Sequence, residues 1–177
     1  MRDLSATALV SDRLSLTAFT PDDAPEAFAG ASATVTRFMK WEPAPSPEAF
    51  ADLWRNWIAG MKAGSELSLV LRLRATGEFL GVAGLHSIGS ANVEIGIWLK
   101  ESAQGLGYGR EAIDAIVAWA GKHIAAEGFI YPVVEQNRAS RRLVESLGGI
   151  VIGRRVLKKA GGDVFDQFVY RIPGRSQ

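Results

Sequence analysis

The stretch Gln104-Gly105-Leu106-Gly107-Tyr108-Gly109 constrains the chain most, because of what flanks it. Before it, Val93-Glu94-Ile95-Gly96-Ile97-Trp98-Leu99 alternates with period two, so Val93, Ile95, Ile97 and Leu99 share one face and Glu94, Gly96 and Trp98 the other. After it, Ile113, Ile116, Val117, Ala120 and Ile124 recur at helical spacing and predict an amphipathic helix over residues 110–124. Glycines in such a connection permit a sharp turn and leave N–H groups uncovered at the helix start, where the dipole favours an anion. Either a phosphate or pyrophosphate binds there, or the glycines serve only a tight turn. A further strand over residues 128–134 completes a crossover, with the glycine loop at the C-terminal end of the first strand, where open α/β sheets bind ligands. Pro132 supplies no ladder donor and predicts an edge, a bulge or a place where pairing stops.

The other elements follow the same rules. Residues 13–19 alternate as a strand, and Thr20-Pro21-Asp22-Asp23 opens a short helix to Gly30. Ser46-Pro47-Glu48 caps a second helix whose Phe50, Leu53, Trp54, Trp57, Ile58 and Met61 form one stripe, read as core packing. Residues 67–73 and 79–85 make a hairpin around Ala75-Thr76-Gly77-Glu78. Asn137 caps a helix with Leu143, Val144 and Leu147 inward, ended by Gly148-Gly149. Residues 150–158 and 164–172 close the chain as a hairpin.

Composition removes several function classes. At 177 residues, 47% hydrophobic and 22% charged, the chain reads as one globular domain (1–177) able to bury its own core. Its 20 basic and 19 acidic residues are scattered, leaving no polybasic footprint for a nucleic acid or an anionic membrane. No apolar run approaches the ~20 residues of a membrane span, and the first residues lack a signal peptide's apolar centre, so a cytoplasmic protein is expected. With no cysteine and two distant histidines, no disulfide, thiolate metal site or cysteine nucleophile is available, and no metal is expected.

The order strand, two helices, three strands, glycine loop and helix, strand, helix, hairpin resembles the GNAT superfamily of N-acetyltransferases. The resemblance runs over residues 11–172 and centres on Q-x-x-G-x-G, matched by Gln104, Gly107 and Gly109, and on an N-x-x-[SA] helix start, matched by Asn137 and Ser140. Within the superfamily the early Arg13-Leu14 strand, the Trp41-Glu42-Pro43 loop and the 94–99 strand resemble the RimJ/RimL type, which acetylates protein N-terminal amines. The resemblance implies an α/β (α+β) GNAT acyl-CoA N-acyltransferase fold. It would be a mixed central sheet of about seven strands, splayed at the cofactor cleft and flanked by about four helices. It also implies acetyl-CoA as cofactor. Backbone amides of Gln104, Gly105, Leu106, Gly107, Tyr108 and Gly109 would wrap the pyrophosphate. Arg110, Arg138 and Arg141 would meet phosphates, Asn137 the pantetheine amide, and backbone N–H groups near Ile97, Trp98 and Leu99 the thioester oxygen. In the family that strand carries a bulge and parts from the next one, so that the pantetheine adds between them as a pseudo-strand.

Acetyl transfer requires a neutral amine, a donor for the oxyanion and a proton for the departing thiolate. Glu94, a carboxylate in an apolar strand, is the expected base, its pKa raised by desolvation; the alternative is an ion pair with an arginine of an adjoining element. Ser140, on the inward face of its helix, is the expected proton donor, since Val144 stands where many relatives carry a tyrosine; otherwise it is a polar first-turn residue. Gly149 likewise replaces the aromatic usual in relatives, predicting weaker packing of the last hairpin. The acceptor is expected among Trp41, Trp54 and Glu94: a peptide N-terminal amine or a small-molecule amine such as an amino acid, a polyamine or an antibiotic. A homodimer through the hairpin or helices is a further expectation. Non-catalytic acyl-CoA sensing and a nucleotide-phosphate module are the rival readings; the second lacks a Walker lysine.

Overall fold

The computed structural model describes residues 2–124, 126 and 128–174. Its strands are β1 (Ala8–Val10), β2 (Leu14–Ala18), β3 (Leu67–Leu73), β4 (Phe79–His86), β5 (Val93–Leu99), β6 (Gly128–Val134), β7 (Ile150–Lys158) and β8 (Val164–Pro173). They form one sheet in the order β1-β2-β3-β4-β5-β6-β8-β7. All neighbours are antiparallel except β5 and β6, the crossover pair. The α-helices are α1 (Ala24–Gly30), α2 (Ala33–Thr36), α3 (Pro47–Ala63), α4 (Tyr108–His123) and α5 (Arg138–Ser146). This is the mixed α/β fold that the sequence implied, with one more strand and one more helix. β1 is three residues long with Ala8 and Val10 exposed, too short to show a period. α2 is a single turn, capped where Ser32 Oγ accepts the Val35 N–H at 3.3 Å.

Local chemistry explains the long helices. Ser46 Oγ accepts the Ala49 N–H at 3.2 Å to start α3 behind Pro47, and Gly64 ends it in the left-handed conformation at φ 74°. The aromatic stripe of α3 packs on the core: Phe50 and Met61 are buried, and Trp57, which also reaches the cleft, meets the rings of Phe19 and Phe50 edge-on at 5.2 and 5.9 Å. α4 packs across β1, β2, β4 and β5, burying Ile113 and Ile116 completely; each such side chain contributes about 1.5–3 kcal/mol relative to exposure. At Gly149 a Cβ would lie 2.8 Å from the Val144 carbonyl oxygen, so the helix end approaches the hairpin too closely for an aromatic ring. Among the described residues no helix is long and apolar enough to cross a membrane.

The sheet opens in the middle. β5 and β6 pair only at Val93↔Phe129 and Glu94↔Ile130. β6 meanwhile stays paired to β8 from Gly128↔Pro173 to Val134↔Gln167, straight through Pro132↔Val169. Pairing therefore stops on the β5 side just before Pro132, one of the three outcomes the proline allowed. The bulge does not occur: β5 runs along β4 from His86↔Glu94 to Gly81↔Leu99 without a shift of register. Divergence of β6 alone leaves the far edge of β5 without a strand beyond Glu94.

Candidate active site

The glycine loop enters α4 through two left-handed glycines, Gly105 at φ 75° and Gly107 at 83°. Gly107 is the helix cap, and no side chain caps it. Among the described residues, the main-chain N–H groups of residues 105–110 find no acceptor in the protein, so the helix start offers them outward. The loop is held from behind by Arg13, which donates to the Leu106 carbonyl at 3.1 Å and lies 4.6 Å over the Tyr108 ring. Glu111 fixes Arg13 in turn, accepting from its Nε and its main-chain N–H at 2.7 Å each and from Ser11 Oγ at 2.7 Å. Desolvation acts to raise the Glu111 carboxyl, but these hydrogen bonds outweigh it and hold the group below its ordinary range.

From this loop one cleft of about 1240 Å³ passes through the gap in the sheet to its other end. Gly105, Gly107, Gly109 and Arg110 line the first end, and Ile97, Leu99, Asn137 and Ser140 the middle. Gln104 departs from expectation: its main-chain N–H donates to the Glu101 carbonyl at 3.2 Å, and its side chain, which borders the cleft, donates to the Leu99 carbonyl at 3.0 Å, stapling the loop to the end of β5. Leu106 and Tyr108 lie outside it, Leu106 exposed and Tyr108 beneath Arg13, so their part there is limited to the main chain. Arg141 also lies outside. Ala139, Arg142, Leu143 and Ser146 recur at helical spacing on the cleft face of α5, which sends Arg138 and Arg141 elsewhere. Arg141 donates to the Tyr170 hydroxyl at 3.3 Å and covers the Phe168 ring, joining α5 to β8. Arg142 is the α5 arginine on the cleft.

At mid-cleft Asn137 Oδ1 accepts the Ser140 N–H at 3.1 Å, capping α5, while Ser140 Oγ stands 3.1 Å from the Tyr131 hydroxyl. Burial pushes the Tyr131 phenol up to about 12, against the opposing pull of the Ser140 hydrogen bond. It therefore keeps its proton through the neutral range. The pair can hold or pass one proton at the Ser140 oxygen.

Side chains from distant elements build the other end. Glu94 is not an isolated carboxylate in an apolar strand: Arg155 of β7 donates to both its oxygens at 3.0 and 3.1 Å, and the same guanidinium donates to Gln167 at 2.9 Å. The ion-pair alternative is the arrangement present. Trp41, Trp57 and Trp98 supply the apolar wall, with Trp41 and Trp98 edge-on at 6.4 Å. Trp54 does not line the cleft; it packs 6.4 Å from Phe19, one turn of α3 before Trp57. Lys159, its side chain only 3% exposed, donates to Glu42 at 2.9 Å and to the carbonyls of Thr36 and Arg37 at 3.2 and 3.3 Å. It ties the β7–β8 turn to the α2–α3 connection. Among the described residues no group of three or more His, Cys, Asp or Glu side chains gathers as a metal site would require.

Residues 13–150 match the family model described as an acetyltransferase (GNAT) domain. The chain belongs to the GNAT acetyltransferase family. Solved structures agree with the fold. A RimL ribosomal L7/L12 alpha-N-protein acetyltransferase in complex with coenzyme A superposes with TM-score 0.82 at 21% identity, covering 94% of this chain and 98% of that one. A Salmonella typhimurium acetyltransferase that modifies the N-terminal serine of L7/L12 gives 0.81 at 20%, covering 94% and 99%. The ribosomal-protein-S5-alanine acetyltransferase of Vibrio fischeri gives 0.77 at 16%, covering 96% and 98%. No curated protein sequence matches.

GNAT enzymes use acetyl-CoA, which supplies a thioester carbonyl carbon to a nucleophile. The residues of this cleft fit such a group. Unsatisfied N–H groups at the α4 start suit a diphosphate, Arg110 and Arg142 flank its path, and the unpaired edge of β5 offers backbone partners to an extended arm. Helical face arithmetic on α5 would have found Arg142. Nothing local marks Arg155 or Lys159, whose partners lie 61 and more than 100 residues away.

Proposed function

We propose that this single-domain, cytoplasmic GNAT enzyme moves acetyl from acetyl-CoA directly to a primary amine in a ternary complex, with peptide N-terminal α-amines as its acceptor class. The supporting observation is the single cleft that joins the unsatisfied amides of residues 105–110 to an apolar, carboxylate-bearing second end. An α-amine near pKa ~8 loses its proton at neutral pH far more easily than a lysine near ~10.4. The N-terminal acceptors named for two of the solved relatives point the same way. In this reading the amides of residues 105–110 with Arg110 and Arg142 hold the diphosphate end, Gln104 fixes the loop to β5, and Asn137 and the 97–99 backbone align the arm. Ser140, hydrogen-bonded to Tyr131, gives the departing sulfur its proton. Glu94, held in place by Arg155, draws the acceptor's ammonium group toward Trp41 and Trp98. With no cysteine in the chain, no enzyme thiol can carry the acetyl group.

Incubation of the enzyme and acetyl-CoA with an amine panel, read by mass, tests this. Peptides with free N-termini should gain one acetyl group and N-terminally blocked ones none. Acetyl enzyme trapped in a single turnover would overturn direct transfer. A homodimer through β7 belongs to the same proposal. β7 is an edge strand that exposes Ile150, Ile152 and Val156, and an isologous antiparallel pairing would cover them. Light scattering should give twice the 19.1 kDa chain mass.

A further inference from the structure

His86 ends β4 opposite Glu94 of β5, on the sheet face that also carries Gly96, and all three line the cleft. Its Nδ1 is hydrogen-bonded to Oε2 of Glu66. A carboxylate only accepts, so in the neutral ring this contact assigns the proton to Nδ1 and leaves the lone pair on Nε2. Nε2 lies over Gly96: a Cβ there would stand 2.9 Å from it, so the ring occupies space that only glycine leaves. Gly60 does the same for Glu66, where a Cβ would come within 2.8 Å of the glutamate Cβ. The other carboxylate oxygen accepts the Ser87 N–H at 3.3 Å, and Ser87 is the one described non-glycine residue at positive φ, 57°. Two glycines and a strained serine thus support a pair that a surface contact would not need. The charged groups facing the ring among the described residues are Glu66, which holds it, and Glu94, which Arg155 holds through both oxygens.

We propose that His86, oriented by Glu66, is the base that removes the proton from the acceptor's ammonium group. This rests on the acetyl-transfer reading above. Nε2 takes one proton, and the freed nitrogen lone pair forms the C–N bond to the acetyl carbon as the C–S bond breaks. The sulfur takes the Ser140 hydroxyl proton, and the nitrogen's second surplus proton replaces it. One ammonium group and acetyl-CoA thus give one amide, one thiol and one proton, which His86 returns to water. No electron acceptor is involved. Glu66 is the positioning residue.

The test measures kcat/KM for a free-N-terminus peptide across pH 6–10, with acetyl-CoA affinity measured separately, in wild type, His86→Asn and Glu66→Gln. Asparagine can keep a donor toward Glu66 but carries no base. His86→Asn should lose about 100-fold or more at neutral pH with acetyl-CoA affinity unchanged. The deficit should shrink above about pH 8, where solution deprotonates the amine unaided. Glu66→Gln should lose less, with the same pH trend. Should His86→Asn fail to fold, Glu66→Gln alone decides: the pH-dependent loss supports the dyad, and wild-type rates overturn it. A loss that is constant across pH would make His86 merely structural, and rates within threefold of wild type would sink the proposal while leaving acetyl transfer intact. A wild-type enzyme that binds acetyl-CoA yet acetylates no amine overturns both readings.

Discussion

At the end of the cleft that faces the glycine loop, the wall is main chain: unsatisfied N–H groups at the α4 start and the bare edge of β5, with side chains acting mostly from behind. At the far end the wall is side chain throughout, and each group is fixed by a partner from another part of the chain: Glu94 by Arg155, His86 by Glu66, and the Trp41 segment by Lys159. A cofactor that never varies can be met by backbone, which substitutions cannot easily alter. An acceptor that differs between relatives is met by side chains, which can be exchanged one at a time.

Ser140 tests the contrast hardest, since it is the side chain at mid-cleft asked to act on the donor. Ser140→Ala should lower kcat about 100-fold, and Tyr131→Phe less, because serine can still exchange its proton with water. Neither should alter acetyl-CoA affinity. Unchanged kcat in Ser140→Ala would mean that the thiolate leaves unaided and that the whole donor end is backbone.

Gly107→Val comes next. An L residue in the left-handed region costs about 1–2 kcal/mol, and here the added atoms also approach the Arg13 guanidinium, 3.4 Å from a Cβ. Converted at 1.4 kcal/mol per decade, the acetyl-CoA KM should rise about tenfold with the acceptor KM unmoved. Arg110→Ala leaves the main chain alone and should change it less. A larger effect from Arg110 would mean that charge, and not loop amides, dominates the donor end.

The same division decides what could be read without a structure. Period-two and helical patterns are local, so nearly every strand and helix was legible, as were the glycine loop, the Asn137 cap and the halt of pairing at Pro132. Short elements without a full period, β1 and α2, were not. Glu94 shows the limit more sharply: its strand reads as apolar, yet its environment is set by Arg155, 61 residues away on β7. Arg141 and Arg142 differ by one position on α5, and the helical turn alone decides which reaches the cleft. His86 and Glu66 lie 20 residues apart in sequence, brought side by side at the open end of the β3–β4 hairpin, with no motif to join them.

Lys159 probes the acceptor end. Lys159→Met removes the donor from two carbonyls and leaves Glu42 unpaired, a cost of about 2–3 kcal/mol concentrated in the 36–42 segment. The acceptor KM should rise severalfold while acetyl-CoA affinity stays put. Glu42→Gln should do less, because its carboxylate is 40% exposed and such pairs contribute about 1 kcal/mol or less.

The smallest effect is expected from Glu111, which supports the loop through Arg13. Its carboxyl sits below the ordinary value of 4.5 when folded, so the folded protein takes up that proton less readily than the unfolded chain does. The stabilisation is therefore complete above about pH 4.5 and is lost as the pH falls through the lower, folded value. Glu111→Gln should lower Tm by a few degrees at neutral pH, as expected for about 1 kcal/mol in a chain of this size. The gap between the two melting curves should close in acid. A gap that persists at low pH would show that Glu111 acts by packing and not by charge. A rise in acetyl-CoA KM beyond the tenfold expected of Gly107→Val would show that the loop depends on this side-chain brace more than on its own glycines.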